Sequence, residues 1–416
     1  MISTSAAGTF DLDGVAIVGA GIAGLTLALT LHEQGIPSTI FESAPALRPI
    51  GVGINVLPHA AKVLHRLGLG PSLDSVAVTT SNAVFYNRFG QKVYTEPVGR
   101  TAGHQFPQYS IHRGDLHDIL LSTVAERLGP DAIQLDRRCE YVRSDDGAVG
   151  TFVDAAGDSH VVRAAAIVGA DGVHSATRRQ LHHDEIAVRY SGYNMWRGVT
   201  VMDPILDGAS MIRVGWLRTG KLVIYPIRDN VDGHGRQLVN WVAEIETPQR
   251  GDRDWNRVGR LDDFLPIFED WKFDWLDVPA MIRASDAVLE YPMIDQDPLD
   301  SWGEGNITII GDAAHPMLPR GSNGAGQAIL DADCLAAMLS SHSTPAAAFA
   351  AYEAERSAAT RRVVLANRST PPDTILKLVY DRTGDRPFDD IDKVASRSEF
   401  EALTQRYREV AAYADV

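Results

Sequence analysis

The chain has 416 residues, with 54 acidic against 39 basic side chains and a formal net charge of -15. That balance argues against nucleic acid or an anionic membrane as partner, because both need basic patches, and the length points to two domains with ample core. The two cysteines, Cys139 and Cys334, show neither a metal-ligand spacing nor a disulfide framework, which fits a reducing cytoplasm and no metal site. The first residues, MISTSAAGTFDLD, contain no cationic region followed by an apolar core, and residues 1–12 read as a mobile tail. No apolar run approaches the roughly 18 residues a membrane helix needs.

The first element is Val15 to Val18, a β-branched apolar run suited to a strand buried on both faces. It leads into Gly19-Ala20-Gly21-Ile22-Ala23-Gly24; Leu25 to Leu31 continue as a helix ending near Gly35-Ile36-Pro37, and Ser38 to Phe41 is a second buried strand closing on Glu42. In this G-x-G-x-x-G spacing Gly19 permits the tight turn, Gly21 lets a pyrophosphate approach the backbone, and Gly24 lets helix and strand pack closely. The N–H groups of Ile22 and Ala23 lie at the positive end of the helix, beneath the phosphates. Glu42 is placed to accept hydrogen bonds from the ribose hydroxyls of an adenosine, and its charge argues against NADP at this site. A dinucleotide site follows, with FAD and NAD both open.

Further on, Arg48 can reach a phosphate and Gly51-Val52-Gly53-Ile54 can pass close to a flat ring. Pro58 to Leu67 reads as a helix, and Ser81 to Val98 as short strands around an Asn-Arg-Phe-Gly turn. Arg113 precedes a helix running to about Leu128, and His112 and His117 read as structural. Residues 138–163 suggest a three-stranded ribbon laid over the main sheet. Ala165 to Ala170 is a buried strand delivering Asp171-Gly172 at its carboxyl end, where open α/β sheets bind ligands. From Ile186 to Leu289 the β-rich, aromatic texture predicts an antiparallel sheet with one face on an apolar pocket, followed by helices around Trp255 to Trp275. Ile307 to Ile310 delivers Gly311-Asp312, then come a loop with Pro316 and Pro319 and a helix from Ser322-Asn323-Gly324. Thr344 to Asn367 is a long helix, and the charged, weakly patterned remainder suggests a peripheral one. The expected fold is α/β. Residues 13–80, 104–185 and 290–370 form a discontinuous Rossmann-like domain, 81–103 and 186–289 a substrate-binding β-sheet domain, and 371–416 a C-terminal peripheral segment.

Three fingerprints stand together: GAGIAG with Glu42, GADGVHSATR at 169–178, and GDAAHPMLP with GSNGAGQ at 311–327. Together they resemble the single-component flavoprotein aromatic hydroxylases, the para-hydroxybenzoate and salicylate hydroxylase family, from about residue 14 to 368. GVGIN at 51–55, PQYSIHRG at 107–114, MWRGVT at 195–200 and SNGAGQAILDA at 322–332 resemble its phenazine-hydroxylating members. GAG at 324–326 is also salicylate-hydroxylase-like, which keeps simpler aromatic acids open. The resemblance implies a para-hydroxybenzoate hydroxylase-like fold, bound FAD, and NADH or NADPH as a transient reductant with no second G-x-G-x-x-G. It implies that Glu42 holds the adenosine ribose, Arg48 and Arg113 the phosphate and ribityl region, and Asp312, after Gly311, a ribityl hydroxyl. Asp171 and Gly172 belong to the motif that serves FAD and the nicotinamide cofactor together, and Asn323, Gly324 and Ala325 lie at the flavin.

The chemistry so implied is hydroxylation of an aromatic or N-heteroaromatic small molecule with O2, through a flavin hydroperoxide kept dry in an apolar pocket. Trp196, Arg197, Tyr225, Pro316 and Met317 are the expected lining. His59, Tyr193, Tyr225 and His315 are candidate bases, each with a structural alternative. A different flavin oxidoreductase on the same scaffold, such as a reductase of an isoprenoid or polyketide, is the rival reading; the W-x-W-x-I-P of flavin-dependent halogenases is absent. The expected partners are the substrate and O2, with no nucleic acid or membrane, in a cytoplasmic monomer or homodimer.

Overall fold

The computed structural model describes residues 3–5, 8–48, 51–182, 188–248, 257–369 and 372–410. Its organising layer is a sheet in the order Ile133–Gln134, Ser38–Phe41, Val15–Val18, Ala166–Gly169, Ile307–Ile309, Gly303–Glu304, parallel except for the last strand. All four residues of Val15–Val18 are buried, as a strand covered on both faces requires. Helix α1 (Ile22–Glu33) covers one face, where Leu25, Leu29, Ile329 and Leu335 share a core with Ile17 and Val168. A ribbon of Arg138–Asp145, Gly147–Val153 and Ser159–Ala164 covers the other, setting Phe152 and Val162 against Ala16, Phe41 and Ile167.

The N-terminal stretch departs from the expected tail. Thr9–Asp11 adds to this ribbon, parallel to Ser159–Ala164, with Leu12 N–H donating to the Arg163 carbonyl at 2.8 Å. Phe10 is the cause: its ring meets Phe41 edge-on at 6.0 Å, apolar burial that a mobile segment would forfeit.

A second sheet of eight strands runs Arg257–Val258, Val288–Gln296, Val188–Met202, Gln237–Glu246, Lys221–Arg228, Ser210–Gly215, Asn82–Tyr86, Lys92–Pro97. Alternation along Val188–Met202 divides its side chains between two faces. Trp196 enters an outer core with Trp241 and Phe264, whereas Met195 packs inward with Met293 and Leu318. In place of the expected helices around Trp255 to Trp275, Leu261–Asp263 and Leu265–Phe268 are 3-10 turns, followed by a tight hairpin at Lys272–Asp277; Trp255 lies outside the described residues. Asp262, Asp263 and Pro266, so close together, interrupt helical hydrogen bonding.

Helix α2 (Pro58–Arg66), α3 (Arg113–Leu128) and α4 (Ala176–Leu181) surround the parallel sheet, and α5 (Gly324–Ser341) and α6 (Pro345–Ser369) return the chain to it. The last stretch is less peripheral than its charge suggests. Helix α7 (Thr374–Thr383) buries Ile375, Leu376 and Val379 against Phe85, Val93 and Tyr94, and Phe400 of α8 (Arg397–Val410) joins them. No helix among the described residues is long and apolar enough to cross a membrane.

Candidate active site

The three fingerprints converge at the carboxyl ends of the parallel strands. Gly19 adopts φ +105°, and a Cβ there would lie 2.6 Å from the Ala170 carbonyl oxygen of the neighbouring strand. At Gly24 a Cβ would come within 2.0 Å of the Gly19 oxygen, so helix and turn touch through the missing side chain. Gly21 differs: a Cβ there would meet nothing within 4 Å, which leaves room above the backbone for a phosphate. No side chain caps α1, so its first N–H groups remain available to an anion. Glu42, half-buried, accepts from Ala20 N–H at 2.8 Å and Ala44 N–H at 2.8 Å. It therefore braces the glycine turn as well as standing beside it. His117 ties to the same turn through the Ala20 carbonyl at 2.8 Å, and His112 accepts from Gly114 N–H at 3.1 Å, both structural as expected.

The second fingerprint serves mainly as a joint. Asp171 accepts from Ala176 N–H at 2.7 Å and Ser175 Oγ at 2.6 Å, capping α4. Gly172, at φ +73°, faces open space. Arg178, which is buried, donates to the Ala313 carbonyl at 3.1 Å and to that of Asp312 at 3.3 Å, locking the second fingerprint to the third.

Gly311 turns at φ +61° and its N–H donates to Asp331 Oδ2 at 2.9 Å. Asp331, fully buried, also pairs with His315 Nε2 at 2.5 Å and Arg356 Nε at 2.8 Å. Burial would raise its pKa, but the charges of His315 and Arg356 outweigh that and hold it below the usual carboxylate range. Asp312 points the other way. Its side chain is exposed to solvent although protein surrounds it on all sides, as at the base of a crevice. Desolvation there raises its pKa against the pull of His315, Arg113 and Arg178. The carboxylate accepts no hydrogen bond among the described residues, and its Oδ1 lies 4.0 Å from where a Gly324 Cβ would stand. Helix α5 also begins without a side-chain cap, at half-buried Gly324 and Ala325. Beside them the buried Asn323 donates to Tyr407 Oη at 2.7 Å, while its Oδ1 has no hydrogen-bond partner among the described residues. Arg113 and Arg48 are exposed at the rim, and the stem of Arg113 packs on Gly51.

This set fits a long dinucleotide cofactor. It offers a half-buried carboxylate beside the glycine turn, an open helix start over that turn, an unsatisfied carboxylate at Asp312, and a second helix start beside the Asn323 amide oxygen. A separate groove lined by Leu12, Gly14, Pro37 and Leu128 opens at the opposite, amino end of the strands, away from these groups.

The expected substrate chamber falls where loop 316–325 meets the inner face of the eight-stranded sheet, Leu318 packing there with Met195 and Met293. Tyr225 Oη donates to the Gly53 carbonyl at 2.8 Å, Arg197 Nη2 to the same oxygen at 2.5 Å, and Gly53 N–H to Asn240 Oδ1 at 2.8 Å. These bonds seat the GVGIN segment on the sheet. Val223, Val242, Tyr193 and Tyr291 remain half-buried on central strands, which marks the open floor of the chamber. Pro316 is buried and Met317 half-buried in the loop that follows Asp312.

Four sequence expectations change here. Trp196 does not line the chamber; its ring stacks on Phe264 at 5.1 Å on the far face of the sheet. His59 is buried against α5, and desolvation, with Arg356 and His104 nearby, lowers its pKa to about 3, so it stays neutral. His315 is committed to Asp331, and Tyr225 to the Gly53 carbonyl with its pKa raised by burial. None of the three is placed as a base. Sequence reasoning passed over Asp331, Arg356 and Tyr407; of these only Asp331, inside the SNGAGQAILDA stretch at 322–332, carried any local signal.

The family model for an FAD binding domain matches residues 13–230 and 290–367. The chain is 42% identical over 403 residues to a phenazine 1,6-dicarboxylic acid hydroxylase of Lysobacter antibioticus, covering 95% of this chain and 96% of that one. It is 34% identical to a 3-amino-4-hydroxybenzoate 2-monooxygenase of Streptomyces platensis, over 84% of this chain and 85% of the other. The fold matches a salicylate hydroxylase substrate complex with a TM-score of 0.72 at 23% identity, covering 99% of this chain and 98% of that one. The chain belongs to the FAD-binding-domain family, as a flavoprotein monooxygenase of the aromatic hydroxylase kind.

Proposed function

We propose that this chain hydroxylates a phenazine or a related fused N-heteroaromatic acid, at the expense of NAD(P)H and O2. The observation that carries the reading is the near full-length match to a phenazine dicarboxylate hydroxylase. The broad apolar floor of Val223 and Val242 supports it, since it suits a flat ring system.

Ile22 and Ala23 N–H groups over Gly21 would hold the pyrophosphate, Glu42 the adenosine ribose, and Arg48 and Arg113 the phosphate and ribityl rim. Asp312 would take a ribityl hydroxyl, and Asn323, Gly324 and Ala325 would meet the ring. Bound FAD supplies the redox chemistry, accepting two electrons from NAD(P)H and activating O2 for transfer of one oxygen atom. The uncapped start of α5 supplies positive potential to negative charge on the bound group, an effect typically worth about 2.7–4 kcal/mol per well-placed donor. The inner sheet face excludes water from the chamber, and Tyr225 and Arg197 hold the GVGIN backbone against it. Tyr225 and His315 are hydrogen-bonded to the Gly53 carbonyl and to Asp331, and His59 is buried and neutral, so the reading assigns none of the three as a base.

The test is oxidation of phenazine-1,6-dicarboxylate by the FAD-loaded protein under isotopically heavy O2, with NADH and NADPH in turn. Substrate-stimulated NAD(P)H consumption and one heavy oxygen in the product are expected. Consumption indifferent to the phenazine, with no oxygenated product, would reject the reading.

A further inference from the structure

The inner face of the substrate sheet ends in a buried ionic cluster that the cofactor does not explain. Lys221 Nζ lies 2.5 Å from Glu244 Oε1 and 2.5 Å from Asp373 Oδ2, and Arg213 Nη1 lies 2.6 Å from Asp373 Oδ1. Arg320, 6% exposed, completes the group from the loop after Leu318. Its nearest carboxylate, Glu244 Oε2, is 3.8 Å from Nε, too far for a hydrogen bond, and is shared with Lys221. Among the described residues buried Nε and Nη2 of Arg320 have no hydrogen-bond partner, and the guanidinium stands 5.3 Å over the Tyr193 ring. Among the described residues the buried cluster holds three cations, Arg213, Lys221 and Arg320, against two anions, Glu244 and Asp373. Arg218 and Glu246 lie exposed near the Tyr193 rim and offset one another.

Strand register locates this surplus charge. Glu244 pairs with Met195 and Lys221, the next inward row is Val242 with Arg197 and Val223, and the next is Asn240 with Tyr225, beneath Gly53. The floor of the chamber therefore runs from the GVGIN segment, to which Arg197 of the middle row donates, past Val223 and Val242 to Arg320 at the other end. A buried guanidinium with two idle nitrogens is costly unless something pairs with it, and a carboxylate fits its fork.

We propose that Arg320 is the specificity-determining residue that receives a carboxylate of the aromatic substrate, at the end of the chamber away from the GVGIN segment. This rests on the hydroxylation reading above and assigns to one side chain the recognition of the acid group.

The test compares phenazine-1,6-dicarboxylate with its diamide in wild type, Arg320→Gln and Arg320→Lys. It reads KM for hydroxylation and, without NAD(P)H, the dissociation constant from perturbation of the flavin spectrum. Wild type should favour the acid. Arg320→Gln should weaken acid binding by roughly 10- to 100-fold with little effect on the diamide, and Arg320→Lys should recover part of the loss. Should Arg320→Gln fail to fold, the wild-type acid-to-amide ratio and Arg320→Lys decide. Equal handling of acid and diamide by wild type, or equal loss of both in Arg320→Gln, overturns the proposal and leaves hydroxylation standing. A wild type silent toward both compounds overturns both readings.

Discussion

Replacing Asp312 with alanine separates holding the cofactor from holding the fold. In the protein without FAD this carboxylate accepts no hydrogen bond among the described residues and sits where burial raises its pKa. A raised folded-state pKa means that its contribution to stability is full below the ordinary carboxylate range and lost as pH rises through the folded value. Asp312→Ala removes that loss, so the apoprotein should match wild type at pH 3 and equal or slightly exceed it at pH 7. The side chain is exposed to the crevice water, so the gain should stay within about 0.5 kcal/mol. The bond it offers a ribityl hydroxyl is charge-assisted, worth about 1.5–3 kcal/mol, and its loss should weaken FAD binding by roughly 10- to 150-fold. Thermal unfolding of the apoprotein and titration with FAD by flavin fluorescence measure the two effects separately. Apoprotein destabilised by several kcal/mol, or an unchanged FAD dissociation constant, would refute the reasoning.

Asp331→Ala should do the opposite, costing about 3–5 kcal/mol of stability because buried Arg356 and His315 lose their shared partner. Because the folded pKa of Asp331 is depressed, this difference in denaturant unfolding should persist as pH falls to about 4 and shrink only below it. Gly324→Pro falls on the first residue of α5, where proline is accommodated and one N–H donor disappears. Rapid-mixing kinetics should show flavin reduction slowed by about 10²-fold with substrate affinity changed far less, and an unaltered rate would reject a role for that helix start. Trp196→Ala should lower stability by about 3–5 kcal/mol, through the cavity left beside Phe264 and Trp241, while KM for the aromatic substrate stays unchanged. A changed KM at unchanged stability would return Trp196 to the chamber.

What could be read from the chain before the fold was known follows the range of the forces involved. Gly19 and Gly24 were legible because their constraint is local, a turn and a helix closing within six residues. The buried runs at Val15, Ala166 and Ile307 announced themselves by composition, since a parallel strand is apolar on both faces. Trp196 was misplaced because alternation gives the parity of a strand but not which face meets the cofactor domain. That is set by pairing with Gln237–Glu246 and Val288–Gln296, far along the chain. His59 and His315 resembled catalytic groups by residue type alone, and only burial and the Asp331 contact reveal their structural use. Tyr407 reaches Asn323 across 84 residues, and Asp373 closes the Lys221 and Arg213 cluster from beyond the fingerprints. No local pattern encodes such contacts, which is why the last helices looked peripheral.

A crystal structure of the FAD-loaded protein tests the central claim most directly. The account predicts one extended FAD, its adenosine ribose on Glu42, its ribityl chain at Asp312 and its flavin ring beside Asn323, Gly324 and Ala325. A nicotinamide dinucleotide lying along Gly19 to Gly24 instead, with Asp312 remote from any ligand atom, would contradict it.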